Sequence, residues 1–500
     1  MRITPFLGLA AAALASASAS ARRSHLDDGA STPQSFVNTV VARTVELGGA
    51  TSLVTTQYNA KALVENPGAY VLALGGEGAP APAWYEVLVG GKAVDGVEFG
   101  SLGGAPALSV PVGKLAKDAQ VIISLTTLVT HASRPLPHEI AQRDPQYLLW
   151  ETNSTLVDSA YKSDVERIKI RSPTPSILQH GQVPNTYTRE TDVTKSGSTL
   201  TLGPFFNVPP TVGAGASADQ GPFYVHYETL QPVVGIRSLK RAAEVSHWGG
   251  NLNIQDEISL FNDGPTLRGQ FSRLAHQQSK FHASKPAQIL TELTLRLPPS
   301  AHSVYFYDVI GNVSTSHFRP GQGATTASLS GRAPRVVDGT LEIKPRYPVL
   351  GGWNYTFTVG WDSPLSESLH VDAKNGRHVL AVPFLTALKD VVVDEEELRI
   401  VLPDGATDVE VFTPFPVDAI EHSVHKTYLD TSGRPVVTIT KSLVTENHAQ
   451  NVYVSYNYPL SAQLQKPLIV TAVVGVLLAI FIVLRRVDYN IASAAERKRK

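Results

Sequence analysis

Residues Leu468–Leu484 (LIVTAVVGVLLAIFIVL) carry no charge, and Arg485 and Arg486 follow at once. As a helix these 17 residues rise roughly 25 Å at the usual 1.5 Å per residue. That is short for a plasma membrane and close to the roughly 27 Å hydrocarbon layer of the endoplasmic reticulum. Arg485 can snorkel to lengthen the usable span. Segment 467–484 is therefore expected to cross a membrane. Basic residues stay on the cytoplasmic side, so 485–500, ending Arg497-Lys498-Arg499-Lys500, is expected to be a short cytoplasmic tail. Those last four residues loosely resemble a dibasic retrieval signal and serve equally well as stop-transfer charges. At the other end stand Arg2, an apolar run Phe6–Leu14 and small residues closing with Ala19-Ser20-Ala21. This is the pattern of a secretory signal peptide over 1–21. The reading is a single-pass type I protein with its bulk in a secretory lumen.

That topology gives meaning to a missing residue. There is no cysteine in 500 residues, so a lumenal chain of this kind folds without disulfides. Thiolate metal sites and cysteine nucleophiles are excluded too. The 43 basic and 44 acidic residues balance to a formal charge of −1, which offers no field for nucleic acid. The lumenal part is too long for one ordinary core. Three sequons fall in it: Asn153-Ser154-Thr155, Asn312-Val313-Ser314 and Asn354-Tyr355-Thr356. Each is a possible N-glycosylation site and, if modified, lies at the surface.

The body reads as strands. Ser52–Tyr58, Gln120–Leu125, Tyr224–Tyr227, Val304–Tyr307, Tyr355–Val359 and Val436–Thr440 are short and rich in β-branched and aromatic residues. Turn formers separate them, which indicates antiparallel sheets in sandwiches. The best soluble helix candidate spans 383–391. The chain also repeats itself. Phe223–Tyr227 matches Val452–Tyr456, Val165–Ile170 matches Glu397–Leu402, and the strand pair 43–62 matches 241–261. The fold class is mainly β: two related β-sandwich-like domains, 35–230 and 231–458, and one C-terminal transmembrane helix. The Gly-rich stretches 75–104 and 321–331 read as loops.

Chemistry is sparse. His138-Glu139-Ile140-Ala141-Gln142 is one residue short of the H-E-x-x-H zinc signature, which needs two imidazoles one helical turn apart. His422 and His425 have ligand-like spacing with no third ligand, and read better as an exposed edge of a sheet. Asp394-Glu395-Glu396-Glu397 could hold a hard cation, but reads first as a solvated turn before a strand. No G-x-S-x-G elbow, G-x-G-x-x-G or P-loop is present, so neither a serine nucleophile frame nor a phosphate cradle is indicated. No catalytic, cofactor or metal residue is assigned. In the span, Ala472 and Gly475 offer a small-residue face for a partner helix; facing lipid is the equal alternative.

Four segments are unusually specific for a structural protein, though each alone also reads as sandwich packing and turn chemistry: Glu244–Gly249 (EVSHWG), Asp308–His317 (DVIGNVSTSH), Pro345–Trp353 (PRYPVLGGW) and Tyr428–Pro435 (YLDTSGRP). Together, and in this order, they resemble the ribophorin I family, subunits of the oligosaccharyltransferase of the endoplasmic reticulum. Gly221-Pro222-Phe223 and Val225-His226-Tyr227-Glu228 also fit. The resemblance covers most of 30–490, strongest over 200–460. It implies a complex that transfers a preassembled glycan from dolichyl diphosphate to Asn in N-x-S/T. It further implies that the divalent metal and the acidic residues belong to a separate polytopic subunit. The expected role here is accessory, scaffolding the complex or guiding nascent polypeptides, with no cofactor in this chain. A single-pass β-sandwich receptor or cargo-binding protein of the early secretory pathway shares the same topology.

Overall fold

The computed structural model describes residues 34–76, 81–188, 193–213, 216–218, 220–279, 286–322, 337–386, 388, 390–428, 430 and 432–487. The signal-peptide reading, most of 321–331 and most of the basic tail lie outside the described residues.

Among the described residues the first half of the chain contributes sixteen strands. They are β1 (Phe36–Leu47), β2 (Thr51–Ala62), β3 (Ala69–Ala73), β4 (Trp84–Val89), β5 (Lys92–Ala93), β6 (Glu98–Leu102), β7 (Ala105–Pro111) and β8 (Gln120–Thr130). Then come β9 (Ser133–Pro135), β10 (Glu139–Ile140), β11 (Gln146–Thr152), β12 (Ser163–Arg171), β13 (Ile177–His180), β14 (Thr194–Ser196), β15 (Thr199–Val208) and β16 (Phe223–Thr229). The second half opens with β17 (Val234–Ser246), β18 (Asn251–Asn262), β19 (Thr266–Leu267) and a short helix α1 (Arg273–Ser279). It continues with β20 (Leu293–Leu297), β21 (His302–Asp308), β22 (Gly311–Asn312), β23 (His317–Arg319), β24 (Gly339–Ile343), β25 (Asn354–Pro364) and α2 (Leu365–Ser368). It closes with β26 (Leu369–Val371), β27 (His378–Pro383), β28 (Val392–Val401), β29 (Thr407–Phe412), β30 (Ala419–His425), β31 (Arg434–Val444), β32 (Asn451–Asn457) and α3 (Leu460–Arg486).

The halves have one topology. The first builds an eight-stranded sheet β5-β4-β8-β2-β1-β12-β15-β14, the second β22-β21-β25-β18-β17-β28-β31-β30. Each is antiparallel except for one central parallel pair, β1 with β12 and β17 with β28. Beside them stand equivalent four-stranded sheets, β13-β16-β11-β9 and β29-β32-β27-β26, and three-stranded sheets, β3-β7-β6 and β20-β24-β23. Among the described strands, β10 and β19 alone have no counterpart, and they pair with each other in parallel across the junction.

The repeat reaches single residues. β2 and β18 share one strict inside–outside alternation over twelve residues, the period-2 signature of a strand with one face on a core. A bulge interrupts β1 after Asn38 and β17 after Ile236, and five residues beyond each stand Arg43 and Arg241. Across the parallel pairs, Glu166 and Glu396 hold the same register. The sequence match of Val165 with Glu397 is thus two residues out of register, and Val165 corresponds to Glu395. A two-residue slip leaves every side chain on its own face, so alternation alone does not detect it.

Each half has one core fed by its three sheets. Phe36, Tyr70, Tyr161, Leu200 and Tyr227 lie in the first; Leu239, Ile254, Phe357, Leu380, Ile400 and Tyr456 lie in the second. Val233 and Val392 of the second half pack into the first core. Asp390 reinforces the junction, accepting from Gly49 N–H (2.8 Å) and the Thr51 hydroxyl (2.7 Å). His131 meets Asp394 at 2.9 Å.

Three expectations are corrected. Residues 383–391 form no helix among those described: β27 ends at Pro383 and an irregular segment buries Phe384, Leu385 and Leu388. The apolar spacing served that core contact. The Gly-rich stretch 75–104 contains β4, β5 and β6, its glycines taking turns at Gly90, Gly91, Gly96, Gly103 and Gly104, all with positive φ. The run 394–397 is no solvated turn but the middle of β28, with Glu396 2% exposed.

Candidate assembly site at the membrane helix

α3 is 27 residues long and, among the described residues, the one helix long and apolar enough to cross a membrane. It spans the expected 467–484 and starts seven residues earlier, after Pro459. That first stretch is held by three loops of the β-body, the third being the β28–β29 loop with Asp404 and Gly405.

The β17–β18 turn is the first. Gly249 N–H donates to Ser246 Oγ (2.9 Å), and Gly250 takes φ 62°, a region open to glycine. The turn projects Trp248, whose indole N–H donates to the Gln463 carbonyl of α3 at 3.1 Å. The β30–β31 hairpin is the second. Its Asp430 carboxylate has a fully buried side chain and accepts from Lys466 Nζ of α3 (2.5 Å) and from Thr427 N–H (2.7 Å) and Oγ1 (2.6 Å). Burial alone would raise this carboxyl; Lys466 and Thr427 outweigh it and hold it well below the usual carboxylate range. Asp404 adds a longer contact to Lys466 (3.9 Å) and accepts from Ser432 Oγ (2.8 Å). Gly405, at φ 87°, lies so close to the helix that a Cβ there would stand 2.7 Å from that of Ala462. Between loops and helix lies a groove of about 470 Å³, bounded by Trp248, Pro403, Tyr458, Pro467, Val470 and Thr471.

Behind Trp248 sits an aromatic cluster. His247 Nε2 meets Tyr456 Oη at 2.8 Å, its ring lies 4.6 Å from that of Tyr458, and His378 stacks on Tyr456 at 5.5 Å. Burial, and then His378, push His247 down to about 4. It is neutral near pH 7 and acts as a packing and hydrogen-bonding group.

Asp308–His317 and Pro345–Trp353 meet at a second centre. Arg346 donates bidentately to Asp308 (Nε 2.7 Å, Nη2 2.9 Å), the planar fork that suits a carboxylate. Ile310 and Gly311 N–H groups add bonds of 2.9 and 3.1 Å, and Tyr355 Oη donates at 3.3 Å. Arg346 first, then these backbone donors, hold Asp308 far below the usual carboxylate range against the opposing effect of burial. The tip so fixed exposes Val309 (87%) and Ile310 (77%). The four distinctive segments thus converge as two pairs: one fastens the helix, the other a hairpin tip.

The other candidates are dispersed. Asn153, Asn312 and Asn354 are all exposed. Glu139 lies on the short strand β10 and Gln142 bonds the 272 segment (2.9 and 3.1 Å), so no helical turn brings a metal pair together. His422 and His425 lie on the exposed edge strand β30. Among the described residues no group of three or more His, Asp or Glu is arranged to hold a metal. Ala472 is exposed and nothing approaches the Gly475 Cβ position within 4 Å. Sequence reasoning missed Gln463, Lys466, Asp404 and the buried Arg241–Asp256–Glu396 group. A lone cation directly before Pro467 was the available signal for the Lys466 contacts.

The ribophorin I family model matches residues 36–485. The chain is 32% identical over 380 residues to dolichyl-diphosphooligosaccharide–protein glycosyltransferase subunit 1 of Caenorhabditis elegans, covering 76% of this chain and 59% of that protein. It is 29% identical to subunit 1A of Arabidopsis thaliana, covering 76% of this chain and 56% of that protein. Subunit 1B of Oryza sativa subsp. japonica is 30% identical, with 78% of this chain and 76% of that protein covered. The chain therefore spans under two thirds of the length of the first two relatives. Among solved structures, native yeast LTA4 hydrolase is similar over 48% of this chain and 35% of its own, at 12% identity and a TM-score of 0.26, too low to relate the folds. With its family match running from the first strand into the membrane helix, the chain belongs to the ribophorin I family.

Proposed function

We propose that this chain is a non-catalytic subunit of the endoplasmic reticulum oligosaccharyltransferase, which transfers a preassembled glycan from dolichyl diphosphate to Asn in N-x-S/T. The carrying observation is the family match across both β-halves and the helix together, 36–485. The printed names of the relatives, subunits of such a transferase, agree. In this reading 1–21 is a cleaved signal, 35–230 and 231–458 are two lumenal domains, 467–484 crosses the membrane and 485–500 is cytoplasmic. The metal and acids of catalysis reside in a polytopic partner subunit, and this chain needs no cofactor of its own. Nascent polypeptides are the clients. Asn153, Asn312 and Asn354, all exposed, are the positions where the chain itself would carry glycan.

The locked helix base supports a scaffolding role. A body fixed rigidly to its span sets where neighbours sit over the bilayer. Native purification tests the reading: a multi-subunit membrane assembly with glycan-transfer activity is expected, and a chain that purifies alone refutes it. Gly475→Leu should then weaken co-purification in detergent through loss of close helix packing; undiminished recovery removes the helix-face part.

A further inference from the structure

The two eight-stranded sheets have four outer edges, and three are blunted. β5 and β22 have two residues each and β14 has three. The β22 carbonyls of Gly311 and Asn312 accept from Arg346 (3.3 and 3.4 Å), and Lys195 of β14 folds over to the Ile177 carbonyl (3.2 Å). Short, capped edges are how sheets avoid pairing with strangers. The fourth edge, β30, is built otherwise. It runs seven residues and contains neither proline nor lysine. Its register to β31 has no bulge.

The direction of its free groups follows from β31. Pro435 carbonyl accepts from Leu402 N–H (2.9 Å), so the polar groups of Pro435 face β28. In an antiparallel ladder a residue turns its N–H and C=O to the same side, and successive residues alternate. Val424, the partner of Pro435, therefore aims both groups away from β31, and so do His422 and Ile420. The side chains of these three share the sheet face of Ile439 and Val437, which are 0% and 1% exposed, yet Ile420 and Val424 are 40% and 62% exposed. The core face continues onto β30 and its cover stops.

We propose that β30 is completed by an extended, alternately apolar strand of a resident partner protein. A backbone row unpaired among the described residues selects another extended backbone, and the bare core face selects apolar residues at every second position. A transient client would leave the edge open between encounters, the hazard the other three edges are built against. A resident subunit keeps it closed. The inference rests on the assembly reading above and names the surface that takes the partner.

The test compares the native assembly with the full chain stripped from it in stronger detergent. Amide exchange at Ile420, His422 and Val424 is expected to be about tenfold slower in the assembly, as for amides newly bonded in a sheet. Val424→Pro and His422→Pro each remove only an outward donor, which edge strands tolerate. Each should release the same single lumenal protein while the β circular dichroism and the other partners stay. Ser423→Pro, which removes an inward donor, should instead disrupt the hairpin itself. Equal exchange in an intact assembly, or full partner retention by both outward variants, overturns the proposal alone. Slow exchange that persists in an isolated dimer of this chain assigns the edge to a second copy and overturns it too. A wild-type chain recovered with no partner refutes the assembly reading and this inference together.

Discussion

The two halves answer the same electrostatic problem differently. Each places one arginine at the centre of its large sheet, with one glutamate two positions off its register on the parallel neighbour. In the second half, Arg241 donates to both Asp256 oxygens (2.7 and 2.6 Å) and to the Pro383 carbonyl (2.8 Å), and bonds Thr386. Arg241 and Asp256 side chains are 0% and 1% exposed. In the first half the residue opposite Arg43 is Thr56, and the acid beside it comes from Asp158, far along the chain. Both halves therefore bury two acids against one cation. The surplus acid gives way in each: burial raises Glu396 well above its ordinary value and pushes Glu166 up to about 7. Among the described residues both Glu396 oxygens lack a hydrogen-bond partner, as does one of Glu166, a setting that penalises a charged carboxylate far more than a neutral carboxyl. The two halves thus share the position of the second acid, Glu166 and Glu396, and differ in the position of its companion, Asp158 and Asp256.

The largest effect should come from removing the better-paired cation. Arg241→Met leaves Asp256 buried and uncompensated and should cost about 3–5 kcal/mol of stability. Arg43→Met, in the looser network, should cost less; equal losses by chemical denaturation would erase the contrast. Next is pH. A raised carboxyl contributes its stability fully below the unfolded value near 4.5, and that contribution is lost as pH rises through about 7 for Glu166. Stability should fall across that window, and Glu166→Gln should flatten the curve, with a gain of about 3 kcal/mol at pH 8 and little change at pH 4. A curve of unaltered slope would contradict a protonated Glu166. The smallest effect concerns the helix, which only the second half holds. Asp430→Asn should loosen α3 by about 1–2 kcal/mol, read as faster protease cleavage near 458–467 with both cores unchanged. Undisturbed cleavage would deny the Lys466–Asp430 bond its role.

Strand content was legible in the sequence because β-branched alternation reports a half-buried face directly. The membrane helix was legible because lipid imposes length and apolarity together. The internal repeat was visible through Tyr227 and Tyr456, but its register was not, since a slip by two preserves the pattern. Residues 383–391 misled because Phe384, Leu385 and Leu388 bury as an irregular segment, where apolar spacing carries no period. The centre of the candidate site was hidden for a different reason. Trp248, Asp404, Asp430 and Lys466 come from four separate stretches, and only the fold brings them to one helix.

The base of α3 carries a mechanical corollary. Trp248, Asp430 and Ala462 against Gly405 fix the rod at its upper end, so its lean in the bilayer is inherited by everything above it. Where the hydrocarbon layer thins or thickens, changing slant is one way a span of fixed length can match it. The β-body then swings as a lever whose far end moves more than its root. A span answering in this way would translate local lipid thickness into the position of the β-body.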